Sequence, residues 1–462
     1  MKKLIAVLFV LVFTVCACSP VTTEYSSTVE SDYVYDTTYI APDDVASKSP
    51  AKKPNVSSSK TSKTSSQKQT NSNKTSSKSD KNEPDWLSTG NKPQFETYIP
   101  SGTVTYACYE ALNATQKQIY NKIDNAVNQM TEGMIALGEC SEQDMQVALY
   151  AVRMDRPEYF WMPTTYVTEV INNTQRAIAF SYQSGENSVS YTCTKQERTA
   201  MENKLKAKIE EIKKLVPKDA SAYDIELVLH DYVCKNVTYD DSKKRENNLT
   251  AYGALVDGFA VCEGYSRAMQ LLLNQFSIPC RLVCGYAGEE HMWNLVKIGG
   301  KWHHLDATWD DLNKSGNEII TMHYYFNISD DRIKDTHRMD IDFKKANNDA
   351  LKNGSFNLSV PECNSLEYFY GNVENIVLND DIEKSMDVIK RVLYEAASKN
   401  ESTCEVYIDS SETKWEIVQN KYHLPECITE VNKLLSKKIK ISRVVFDHET
   451  GRSLIFVIEY LK

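Results

Sequence analysis

The stretch AVCEGYSRAMQLLLNQFSIPC, residues 260–280, places Cys262 immediately before a run in which Met269, Leu272, Leu273 and Phe276 recur at helical spacing. A thiol at a helix N-terminus meets the positive end of the backbone dipole and amide N–H groups that lack intrahelical acceptors, which favours the thiolate. The thiolate is the nucleophile, and the same amides can stabilise the oxyanion that forms when an acyl carbon is attacked. A lone cysteine is more often an apolar filler, so the reading needs a base.

The base lies downstream, where HMWNLVKI and KWHHLDATW flank Gly299 and Gly300, a pair suited to a two-residue turn. If Ile298 faces Lys301, then Trp293 faces Asp306 and His291 faces Thr308. His291 and Asp306 become diagonal neighbours on one sheet face, near enough for the carboxylate to take an imidazole N–H. Met292, Val296, Ile298, Leu305 and Ala307 then form the opposite, core-facing side, and Asn294 points that way too. A three-residue loop would shift the register by one and break the pairing. The expected chemistry is attack of Cys262 on an amide carbonyl, proton transfer by His291 and orientation of His291 by Asp306. The thioester so formed is resolved by water, giving a peptidase or amidase, or by a primary amine, giving a crosslink.

The order VCEGYSRAM, then HMWNLVKIGGKWHHLDATWDD, with the approach KNVTYDD and the exit YYFNISDDRIKDTH, resembles the transglutaminase-like core over roughly Tyr223–His337. The resemblance implies an α+β, papain-like fold with a helix packed on an antiparallel sheet. It carries Cys262 over as nucleophile, His291 as general base and acid, and Asp306 as the orienting carboxylate. It also puts Tyr252 near the oxyanion site, as a donor or as a core tyrosine, and reads Gly264 and Tyr265 as packing at the helix start. Trp293 is expected to shield the His291 pair from water. No cofactor is implied.

No metal site is expected. His303 and His304 are adjacent on a strand and face opposite ways, so they cannot readily share an ion. His304 is read as solvated or groove-lining, and His230, His323 and His337 as structural.

The remaining chain supplies context. Residues 1–18 carry Lys2, Lys3 and an apolar run from Leu4 to Val12, which reads as a lipoprotein signal peptide whose lipobox ends at Cys18, the expected lipidation site; an ordinary cleaved leader is the alternative. Residues 19–100 include a Ser-, Thr- and Lys-rich stretch that cannot bury enough apolar surface to order itself, and they are expected as a disordered tether. An N-terminal α+β unit follows at 101–195. It has a helix opened by a Thr115–Gln118 capping box and running through Met130 and Met134, a second helix from Ser141, and strands around Tyr166–Ile171, Ala177–Tyr182 and Val189–Cys193. The transglutaminase-like domain is expected at 196–345 and a C-terminal α+β unit at 355–462, with a helix near Ile382–Leu393 and strands near Val406, Val444 and Ile455. The formal net charge of −10 argues against nucleic acid. With Cys262 and the two leader cysteines set aside, nine of the twelve cysteines remain, an odd number that cannot all pair. The expected partners are a peptide, protein or cell-wall amide substrate and, through the lipid anchor, the outer face of a bacterial membrane.

Overall fold

The structure, a computed structural model, describes residues 9–12, 84–88, 92–171, 174–184, 187–312, 320–409, 421–446 and 452–461. Cys18 and most of the leader and tether lie outside these residues. Contacts divide the chain into a larger unit, chiefly 92–374, and a smaller one, chiefly 375–461.

The larger unit begins with three helices, α1 (Ala107–Ala111), α2 (Ala114–Gln129) and α3 (Glu142–Asp155), beside a sheet of β1 (Phe9–Val12), β2 (Ile135–Glu139), β3 (Thr165–Ile171) and β4 (Gln175–Ala179) in the order β1-β3-β4-β2. Phe9–Val12, within the run expected as the apolar part of a leader, pairs antiparallel with β3. The capping box of α2 is Asn113–Gln116, not Thr115–Gln118, because Asn113 Oδ1 accepts the Gln116 N–H while Gln116 Oε1 accepts the Asn113 N–H. Helix α2 ends at Gln129, where Met130 turns left-handed, so Met134 lies beyond it. The strand expected at Val189–Cys193 is instead a short hairpin of β5 (Tyr182–Ser184) and β6 (Asn187–Val189). Thr194 then caps α4 (Lys195–Lys213) with Glu197, so a helix begins two residues past Cys193.

Helix α5 (Ala222–Asn236), the short parallel pair β7 (Thr238–Tyr239) and β8 (Phe259–Ala260), and α6 (Cys262–Asn274) lead into the central sheet. Its order is β12-β11-β10-β9-β13, antiparallel throughout, with β9 Cys280–Ala287, β10 Glu289–Ile298, β11 Lys301–Leu305, β12 Phe326–Ile328 and β13 Arg338–Met339. Ile298 faces Lys301 and Asn294 faces Leu305, the expected register. Both turn glycines have positive φ, 57° and 81°, as a tight two-residue hairpin requires. One sheet face, with Met292, Val296, Ile298, Leu305 and Ala307, joins Met269, Leu272 and Leu273 of α6 in a buried apolar cluster. That cluster runs from Cys108 to Val373 and crosses the expected boundary at 195/196.

Two expected boundaries shift. Residues 92–100, expected in the tether, belong to the larger unit: Phe95 packs on Tyr223 and the Tyr98 N–H donates to the Ala220 carbonyl, and their aromatic side chains give them surface to bury. The smaller unit likewise takes in Asp85–Ser88, a 3-10 turn whose buried Trp86 meets Tyr394 edge-on. At the other end, Phe356, Leu358 and Val373 belong to the larger cluster, and Asn357 hydrogen-bonds both the N–H and the carbonyl of Cys284 in β9, so the chain past 355 stays with the larger unit for some twenty residues. The smaller unit holds β14 (Val377–Leu378), α7 (Ile382–Ser398), β15 (Thr403–Ile408), α8 (Leu424–Leu434), β16 (Ile439–Phe446) and β17 (Ser453–Tyr460), with sheet order β14-β15-β17-β16. No disulfide joins the ten cysteines among the described residues, and no helix among those residues is long and apolar enough to cross a membrane.

Candidate active site

Cys262 is the first residue of α6, and Val261 before it is extended, with no side-chain cap. Valine has no side-chain acceptor to offer, so the residue before the helix does not itself cap the first-turn amides. The approach to the helix is held by Asp240, whose carboxylate accepts from Ser242 Oγ, the Arg245 N–H and Asn248 Nδ2 at 2.6, 3.0 and 2.8 Å. Desolvation would raise the pKa of Asp240, but these hydrogen bonds outweigh it and bring it down to about 2. The Asn248 carbonyl then accepts the Val261 N–H at 3.0 Å, which sets the entry into the helix.

Gly264 lets that loop approach. A Cβ there would lie 2.5 Å from the Asn248 oxygen and 2.7 Å from the Ala260 Cβ. Gly264→Ala is therefore expected to destabilise the protein by about 1–3 kcal/mol, read as a lower urea midpoint. An unchanged midpoint would show that the loop yields at no cost and is not what seats the helix. Tyr265 ties the helix forward, its hydroxyl contacting Asp311 Oδ2 at 2.6 Å and the Val237 carbonyl at 3.0 Å. Ser266 Oγ lies 2.9 Å from both the Cys262 and Met292 carbonyls, which anchors the first turn beside the residue after His291.

His291, near the start of β10, places Nε2 2.6 Å from Asp306 Oδ2, immediately past the end of β11. Asp306 Oδ1 accepts the N–H groups of Thr308 and Trp309 at 2.9 and 3.1 Å. Burial would raise the carboxyl pKa, but the two imidazoles bonded to it, His291 first, hold it well below the usual carboxylate range. Cys262, His291 and Asp306 are 0 %, 4 % and 1 % exposed, so all three side chains are buried.

The second imidazole is His337, read from sequence as structural. Its Nε2 lies 3.0 Å from the same Asp306 Oδ2. The sequence does not mark it as such, because it follows Asp306 by 31 positions and stands just before β13, where no periodicity singles it out. The one available signal was its place at the end of the exit motif.

The Trp293 ring stacks at 20° on His291, its centroid 5.9 Å away, an orientation suited to excluding water. Trp293 Nε1 donates to His304 Nδ1 at 3.0 Å, and His304 Nε2 meets Asp330 Oδ1 at 2.8 Å. His304 is thus fully buried, contrary to the solvated or groove-lining position expected. His303 faces the other way and contacts the Ser365 carbonyl, and burial lowers its pKa to about 4. Asn294 reaches the Ser266 carbonyl and Cys280 Sγ on the α6 side, away from the His291–Asp306 pair. Tyr252 is buried with its ring 5.1 Å from Phe160, the core packing that was one of its two readings.

Three groups among the described residues have spacing that could hold a cation: His230–Asp231–His323, His291–Asp306–His337 and His304–Asp330–Cys363. In each, an imidazole nitrogen lies within 3.0 Å of a carboxylate oxygen, so hydrogen bonding accounts for the proximity.

Residues 211–307 match the family model of the transglutaminase-like superfamily. Over 94 residues the chain is 27 % identical to the kyphoscoliosis peptidases of Homo sapiens and Mus musculus, which covers 17 % of this chain and 14 % of each relative. The chain thus matches only about a seventh of the length of those curated relatives. A solved structure described as a TGase aligns with 34 % of this chain and 46 % of its own, at 20 % identity and a TM-score of 0.23.

Proposed function

We propose, for a chain whose residues 211–307 form a transglutaminase-like superfamily domain, that Cys262, His291 and Asp306 act together as a cysteine hydrolase on amide bonds. The observation that carries this is the 2.6 Å His291 Nε2–Asp306 Oδ2 contact beside a helix that opens on Cys262. With its Nε2 proton directed at the carboxylate, His291 exchanges protons with the nucleophile through Nδ1. The Cys262 sulfur bonds to the carbonyl carbon, the C–N bond breaks, and the departing amine takes the proton from His291. Water then attacks the thioester, giving up a proton to His291; the acid leaves and the thiol is restored.

The curated relatives are called peptidases, and hydrolysis is the reading carried over from them. A lipid anchor at Cys18, formed when the leader and with it β1 are removed, would hold the enzyme at the outer face of a bacterial membrane, facing peptide or cell-wall amides. The test supplies a glutamine-containing peptide library, with and without a fluorescent primary amine, to wild type and Cys262→Ala. Cleavage that depends on Cys262 supports the hydrolase. Cys262-dependent amine incorporation in its place makes the protein a crosslinking transamidase, and the absence of both activities makes it a binding or cell-wall-organising lipoprotein that keeps the fold without catalysis.

A further inference from the structure

The Asp306 carboxylate meets four donors, and only His291 belongs to the reaction proposed above. Two more are the backbone N–H groups on Oδ1, and the fourth is His337 Nε2, which shares Oδ2 with His291. We propose that His337 is a positioning residue of this site: through Asp306 it fixes the direction and tautomer of His291, and so sets the reactivity of Cys262. The inference rests on the hydrolase reading and names a residue that the reading does not contain.

An ionised carboxylate only accepts hydrogen bonds, so both imidazoles must present Nε2–H to Oδ2. In neutral His337 the other nitrogen, Nδ1, is then an acceptor, and the structure supplies its donor: Thr336 Oγ1 lies 2.7 Å away. Thr336 Oγ1 is in turn 3.3 Å from the Tyr325 hydroxyl, which donates to it. Thr336 Oγ1 also lies 3.4 Å from the Ile333 carbonyl, so its single proton serves the closer His337 Nδ1, and the chain Tyr325 to Thr336 to His337 to Asp306 matches the Nε2–H tautomer that Asp306 requires. Burial also lowers the pKa of His337, which keeps the ring neutral near pH 7.

His337 itself has little freedom. Its N–H donates to the Ile333 carbonyl at 2.8 Å, and its ring sits 4.7 Å from Trp309 and 5.1 Å from Trp293. With donors on both oxygens, Asp306 cannot rotate away from His291 without breaking bonds to Thr308, Trp309 and His337 together. A carboxylate held in this way keeps the His291 proton on Nε2 and its Nδ1 available for proton exchange with the nucleophile.

A purely structural His337 would fill the aromatic box and nothing more, and donor and shape can be separated. Glutamine at 337 can place an N–H near the position of Nε2; methionine has similar bulk and no donor. The experiment measures site-resolved iodoacetamide labelling of Cys262 in the full chain for wild type, His337→Gln, His337→Met and Thr336→Val, with thermal melts as a check on folding. Labelling is expected to stay within about threefold of wild type in His337→Gln and to slow roughly tenfold or more in His337→Met, the effect of losing a charge-assisted hydrogen bond. Thr336→Val, at a half-buried position, is expected to fall between and keeps the test open if His337→Met fails to fold. Equal slowing in the glutamine and methionine variants would make His337 a packing residue and overturn the proposal, as would wild-type rates in both His337→Met and Thr336→Val. Wild-type Cys262 labelling no faster than the other cysteines would instead sink the hydrolase reading and take the proposal with it.

Discussion

Replacing Asp306 by asparagine is expected to slow Cys262-dependent chemistry on the order of 10³- to 10⁴-fold, the scale of a carboxylate-to-amide change at an orienting position. The reason is the donor set. Both edges of Asp306 meet donors only: imidazole N–H groups on Oδ2 and the N–H groups of Thr308 and Trp309 on Oδ1. Asparagine has one accepting edge and one donating edge, so in either orientation its NH₂ faces a pair of N–H groups. If it faces the imidazoles, His291 must move its proton to Nδ1, where it can no longer accept one from the thiol. If it faces the backbone, the turn Asp306–Trp309 opens. Stability should fall as well, by about 1.5–3 kcal/mol near neutral pH, because hydrogen bonds to a buried charged acceptor are lost.

The pH dependence has a definite sign. Asp306 is held below the ordinary carboxylate range in the folded protein, so the unfolded chain takes up the proton first as pH falls. Its contribution is therefore complete above the unfolded pKa of about 4 and is lost below it as pH drops through the folded value. Denaturant titrations should show the gap between wild type and Asp306→Asn narrowing below about pH 4. A gap independent of pH down to 2 would mean that the carboxylate is not bound as its four donors indicate.

How much of this was legible in sequence follows from the length scale of each signal. The hairpin was readable because Gly299–Gly300 fixes a two-residue turn and a strand alternates with period two, so one assumption about the turn placed every residue from His291 to Asp306. The start of α6 was readable from the apolar spacing after Cys262. Competing local signals blurred other elements. Asn113–Gln116 and Thr115–Gln118 have the same capping pattern two residues apart, and only the reciprocal hydrogen bonds choose between them. The strand Ile135–Glu139 went unread because Gly138, at φ 91°, sits in a bulge that breaks the alternation. His337 was not legible as part of the site, since its meeting with Asp306 depends on β13 joining the far edge of the sheet beside β9. The burial of His304 was missed for a similar reason: Asp330, its partner, lies in a separate segment after β12.

The second large effect is on His291, and it bears most directly on the central claim that Cys262 is an activated nucleophile. Other buried thiols of the chain are pushed the wrong way for reactivity: burial, only partly offset by neighbouring cations, raises Cys234 and Cys427 to about 12. Cys262 is just as buried, so burial alone predicts the same inertness for it. A helix N-terminus together with a base held by Asp306 predicts the opposite. His291→Ala keeps Cys262 as the first residue of α6, so the ratio between wild type and variant, with Cys234 and Cys427 as internal references for any general loosening, reads what the imidazole contributes. The measurement is site-resolved iodoacetamide labelling of the full chain near pH 7, each cysteine quantified by peptide mass spectrometry. Cys262 should label fastest in the wild type and lose about 100-fold or more of that rate in His291→Ala. Labelling of Cys262 no faster than that of Cys234 or Cys427, or equally fast with and without His291, would contradict the account and leave the fold without its proposed chemistry.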